Sequence, residues 1–109
     1  MKLISSVVRP DRLEAVKQAL STINVVALTV LEARDFAPQR HATTAWMGHL
    51  YTNESATKME VQAVVHDDDV DDVVDLVMRA ARTGCTGDGH ICVLPVDHRY
   101  SISTGQREV

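Results

Sequence analysis

From residue 2 to residue 8 the sequence is apolar and rich in β-branched side chains, and Pro10 closes it, which predicts a first strand. Pro10 and Asp11 open a helix in which Leu13, Val16, Leu20 and Ile23 recur at helical spacing. It ends near Thr22, with Asn24 as a following residue that tolerates the left-handed conformation. Residues 25–33 are again apolar and β-branched, a second strand. From 34 to 57 the periodicity collapses into polar sequence punctuated by Gly and Pro. Strict alternation returns at 58–65, with Met59, Val61, Ala63 and Val65 on one face and Lys58, Glu60, Gln62 and Val64 on the other. That is a half-buried third strand.

The clearest helix follows. Val70, Val73, Val74, Val77, Met78 and Ala81 form one apolar stripe. The acidic run Asp67–Asp69 ahead of it invites a metal reading, but aspartates at a helix start are favoured by the orphan N–H groups and the macrodipole, so capping is the expectation. Gly84 ends the helix and residues 83–89 form a Gly-rich turn. Residues 91–96 predict a fourth strand and 100–103 a short further strand or hairpin arm. Two β–α–β halves in this order specify an α+β, ferredoxin-like βαββαβ sandwich: an antiparallel sheet with both helices on one face. Something must cover the other face, and a second copy packing sheet on sheet is a natural answer.

A connection of this length inside a compact domain is unusual, and such loops are mostly functional. This one holds the only Trp of the chain, Trp46, with Met47, Leu50, Tyr51, His41 and His49. Those side chains suit burial against a partner. The turn at 83–89 is the other candidate, because glycines let backbone N–H groups face an anion.

Composition narrows the classes. With 109 residues, 45% hydrophobic and 24% charged, the chain is globular and holds one core. A net charge of −4 argues against nucleic acid, which needs a basic face. No stretch approaches a membrane span, the start is too short and interrupted for a signal peptide, and two cysteines, Cys85 and Cys92, are too few for a disulfide scaffold. A cytoplasmic protein without membrane insertion is the expectation.

The sequence Thr83-Gly84-x-x-Gly87-Asp88-Gly89-x-Ile91-x-Val93-x-x-Val96, with Ile102-x-Thr104-Gly105, resembles the P-II nitrogen-signalling family. Lys2-x-Ile4, Arg9-Pro10, Leu13, Val16, Ala19-Leu20 and Thr29-Val30-x-Glu32 agree, so the likeness runs over a single domain, 1–109. The resemblance implies a homotrimeric sensor, not an enzyme. It implies adenine nucleotide in clefts between subunits and a long T-loop, about 34–57, that reaches a target transporter or metabolic enzyme. Thr29 and Val64 match positions on the adenine side, and Gly87, Asp88, Gly89 and His90 fall on the phosphate turn. Gln39 and Lys58 match positions used for magnesium-bound 2-oxoglutarate, Tyr51 matches a position that some bacterial members uridylylate, and Trp46 and Tyr51 lie in the partner loop.

The chain departs from the family pattern where basic residues hold the triphosphate: it has Pro38, His90, Ser101 and Ser103. Each phosphate oxygen left without a cation forgoes a charge-assisted bond of about 1.5–3 kcal/mol. A less charged ligand is therefore expected, ADP or AMP ahead of ATP, or a small anion such as bicarbonate, with Arg99 the nearest substitute cation. An alternative is metal sensing through Cys85, His90 and Cys92 together with His41, Met47 and His49, although Cys92 also fits a small core position.

Overall fold

The computed structural model describes residues 1–36 and 56–109. Strand β1 (Lys2–Val8) passes through a single 3-10 turn (Pro10–Arg12) into helix α1 (Leu13–Leu20) and strand β2 (Ala27–Asp35). Strand β3 (Ala56–Val65) and a second 3-10 turn (Asp67–Asp69) lead to helix α2 (Val70–Ala81) and strand β4 (Gly89–Pro95). The strands form one antiparallel sheet in the order β2-β3-β1-β4, the ferredoxin-like arrangement.

Alternation along the strands divides the sheet into two faces. One face carries Ile4 and Val8 from β1 with Val61, Ala63 and Val65 from β3, and it meets Val16 and Leu20 of α1 and Val73, Val77 and Ala81 of α2 in one buried cluster. The β-branched residues fit the pleated surface beneath, and the helices supply the stripe that covers it. The stripe is narrower than the sequence predicts. Met78 is 53% exposed, because α2 covers β1 and leaves its outer shoulder over the sheet edge open.

Among the described residues no helix covers the other face. Register sets three rows across it: Leu3, Val64, Ala27 and Leu94; Ser5, Gln62, Thr29 and Cys92; Val7, Glu60, Leu31 and His90. Glu60 is satisfied within the middle of this face, accepting from Ser5 Oγ at 2.9 Å and from Gln62 Nε2 at 3.2 Å. Leu31 and Leu94 are more than two-fifths exposed.

Four sequence expectations need correction. The aspartates ahead of α2 make no side-chain cap; Asp67–Asp69 instead wind a 3-10 turn, and the Asp67 carboxylate lies 3.0 Å from the Met1 ammonium. Helix α2 ends at Ala81, where Arg82 turns extended, and Gly84, at φ +87°, follows as a turn residue. Cys92 is exposed on the open face instead of filling the core. The hairpin arm near the C-terminus reduces to one bridge, Tyr100 to Arg107, around which Arg99 and Glu108 pair.

Candidate functional site

The turn between α2 and β4 is built around one carboxylate. Asp88 Oδ2 accepts from the backbone N–H groups of Thr83, at 2.9 Å, and Gly84, at 3.0 Å. Its Oδ1 accepts from Arg9 Nε at 2.9 Å and from the Thr83 hydroxyl. The Thr83 hydroxyl, and after it the Arg9 guanidinium, hold the Asp88 carboxyl well below the usual carboxylate range. Thr83 Oγ1 in turn accepts from Cys85 N at 3.2 Å, so the start of the turn is tied at both chain levels.

Two cations reach the same turn from the sheet. Arg9, one residue past β1, donates Nη2 to the Thr86 carbonyl at 2.8 Å besides its contact with Asp88. Lys58, on β3, is only 5% exposed and donates Nζ to the Gly87 carbonyl. Its long stem lies along the sheet while its charged end meets the turn.

The glycines differ in what they permit. Gly87, at φ +92°, leaves a hollow where a Cβ would lie 3.5 Å from Arg9 Nη2 and 3.8 Å from Lys58 Nζ. Gly89, at φ +111°, presses against β1, since a Cβ there would meet the Val7 carbonyl oxygen at 1.7 Å. On the helix side of Gly89 a cavity of about 240 Å³ opens between Val8, Val77, Ala81 and Ile91, with Arg82 and His90 at its rim.

The predicted residues fall in two groups. Gly87, Asp88, Gly89, His90 and Lys58 come together at this turn. Thr29 and Val64 lie on the open face, Thr29 on the far edge strand opposite Gln62 and Val64 opposite Ala27. Strands β2 and β4 are three strand spacings apart, about 14 Å, so one chain does not bring Thr29 to its own turn. Gln39, Trp46, Tyr51 and Pro38 lie outside the described residues. Ser101 and Ser103 face each other at 3.1 Å in the C-terminal arm, and Arg99 spends its charge on Glu108. Cys85, His90 and Cys92 do not converge, and among the described residues no group of three His, Cys, Asp or Glu side chains is arranged to hold a metal ion.

Sequence reasoning did not assign Arg9 to the site, although it stands at the end of β1 beside Pro10. The sequence marks only its place between the end of β1 and Pro10; the pairing of Val8 with Gly89, which brings Arg9 to the turn, is visible in the structure alone.

Comparison with known proteins meets this geometry with one outcome. The family model for Nitrogen regulatory protein P-II matches residues 1–106. The chain belongs to the P-II family. It is 42% identical to the nitrogen regulatory protein P-II of Microchaete diplosiphon over 107 residues, covering 98% of this chain and 96% of that one. The corresponding P-II protein of Synechocystis is 41% identical over 108 residues, with 99% and 96% covered. The nitrogen regulatory protein GlnK of Escherichia coli is 35% identical over the same length, with the same shares. The P-II relatives are named as regulators, and no helix among the described residues of this P-II chain is long and apolar enough to cross a membrane.

Proposed function

We propose that this P-II-family chain is a homotrimeric signalling protein that senses an adenine nucleotide, ADP or AMP ahead of ATP, between neighbouring copies. It relays the state of that site to a target transporter or metabolic enzyme through the connection at 34–57. It acts as a regulator and not as a catalyst, in the cytoplasm, without nucleic acid or membrane insertion. The observation that carries the reading is the turn at Gly87, Asp88 and Gly89, where Arg9 and Lys58 both come within 4 Å of the position a Gly87 Cβ would take. Thr29 and this turn stand at opposite edges of one sheet, so a nucleotide that touches both needs two copies. The exposed leucines of the open face supply apolar area for that assembly. The family's basic positions at 101 and 103 are serines here, which favours fewer phosphates.

Calorimetric titration with ATP, ADP and AMP, with and without magnesium, tests this, repeated with 2-oxoglutarate and with bicarbonate. AMP or ADP binding at least as tightly as ATP is the expected result. Tighter, magnesium-dependent ATP binding would overturn the preference, and silence for every nucleotide would overturn the sensing site.

A further inference from the structure

We infer that the cavity between α2 and β4 is the seat for Ile102 of a second copy of this chain, so that each copy lends its C-terminal arm to the next. This rests on the assembly of copies proposed above and names the contact that links them.

The arm is built as a knob. Ser101 N donates to the Gln106 carbonyl at 2.9 Å, Gly105 N to the Ser101 carbonyl at 2.8 Å, and Glu108 N to the Arg99 carbonyl at 2.6 Å. The Ser101 hydroxyl takes up the Thr104 N–H at 3.4 Å, and the Thr104 hydroxyl that of Gln106 at 3.2 Å. On this braced turn stands Ile102, fully exposed. A turn already fixed loses little freedom on docking and gains the burial of a whole aliphatic side chain.

The cavity is the complementary hole. Its walls of Val8, Val77, Ala81 and Ile91 enclose about 240 Å³, room for a branched aliphatic side chain. At its rim lie His90 and Arg82, and the Arg82 guanidinium bonds to nothing among the described residues. The carbonyls of Ile102, Ser103 and Thr104 accept nothing among the described residues, while the N–H groups of Thr104, Gly105 and Gln106 are spent inside the turn. Acceptors on the knob thus suit donors on the rim.

Knob and hole do not meet within one chain. Gly89 lies beside Val8 and Pro95 beside Lys2, and the arm departs from the Pro95 end, with Val96 N on the Met1 carbonyl at 3.1 Å. The length of β4, about 20 Å, separates the two, and the exposed Ile102 leaves its own cavity open. The contact between copies is therefore head to tail, each giving one knob and receiving one, an arrangement that closes into rings. One isoleucine falls far short of the roughly 800 Å² that each partner buries in a stable interface. The remaining area lies next to it. On the edge strand β4, Ile91 looks into the cavity while His90, Cys92 and Leu94 look onto the open face, so a copy lying along that face and around the edge reaches both.

The test uses chains in which the exposed Cys85 and Cys92 are replaced by serine. Arg82→Cys is placed in one such chain and Ser103→Cys in another, which leaves Ile102 and the cavity walls intact. Co-expressed and treated with a short bis-maleimide, the two chains are expected to join at least tenfold faster than either variant does alone. Adding Ile102→Ser to the Ser103→Cys chain should slow the joining at least tenfold, and Ile102→Leu should preserve it. An unchanged helix signal separates lost docking from lost folding. Sedimentation of the wild type gives the second readout. Assembly without the cross-link, or a cross-link indifferent to Ile102→Ser, overturns the inference and leaves the assembly of copies standing. A wild type that sediments as one chain at every concentration overturns both.

Discussion

Gly89 lies so close to Val7 that a Cβ on the glycine would stand 1.7 Å from the valine carbonyl oxygen. This contact joins the first residue of β4 to the end of β1, and it leaves no room for any other residue at position 89. Gly84 has the same left-handed sign of φ but nothing within 4 Å of the Cβ position. Gly84→Ala is therefore expected to cost only the conformational penalty, about 1–2 kcal/mol. Gly89→Ala adds a backbone collision and should cost on the order of 4 kcal/mol or more. Urea denaturation of the two variants measures the difference, and equal losses would contradict the geometry.

Val73 and Val77 are buried to within 1% of full, whereas Met78 beside them is half exposed. Val77→Ala removes two buried methyl groups and leaves a void, with an expected loss of about 2–3 kcal/mol. Met78→Ala should fall within about 0.5 kcal/mol of wild type. A large loss at Met78 would mean that something covers α2 in solution.

Acid should destabilise the fold through Asp88. Its folded-state pKa is lowered, first by the Thr83 hydroxyl and then by Arg9, so its contribution is complete above the unfolded carboxylate value of about 4. That contribution is lost as pH falls from there toward the folded value. The Asp67 carboxyl is lowered in the same direction by the Met1 ammonium. Asp88→Asn, which has no proton to gain in this range, is expected to show a shallower acid limb when denaturation midpoints are followed from pH 6 to pH 2.5. Parallel limbs would remove Asp88 from the acid response.

Leu31 stands on the face that no described helix covers, in the row of Val7, Glu60 and His90, and it is 41% exposed. If copies pack there, Leu31→Lys should lower the sedimentation mass of the assembly toward that of one chain without lowering the helix signal. An unchanged mass would place any assembly contact elsewhere.

Much of the fold was legible because its determinants are periodic. Met59, Val61, Ala63 and Val65 alternate, Val73 and Val77 repeat at one helical turn, and glycines mark the turn before β4. Boundaries drifted by about two residues where β2, β3 and β4 begin, since strand ends are set by pairing with neighbouring strands and not by their own composition. Met78 was misread because stripe width depends on where α2 sits over the sheet, which no helical period encodes. The site was half legible. Gly87, Asp88 and Gly89 announce themselves in sequence, but Arg9 meets Thr86 and Asp88 across separations of 77 and 79 residues. Lys58 alternates with polar neighbours and by periodicity reads as a solvated position; only the resemblance singled it out, and its burial and its bond to the Gly87 carbonyl show where it goes.

Lys58 also stands near the beginning of β3, opposite Ala33 and two residues in from the strand's first pair, Asp35 with Ala56. The same ammonium is bonded to the Gly87 carbonyl across the sheet. The beginning of β3 and the turn before β4 thus hang on one shared peg. Any displacement of Lys58 therefore disturbs at once the Gly87 carbonyl it holds and the beginning of the strand that carries it.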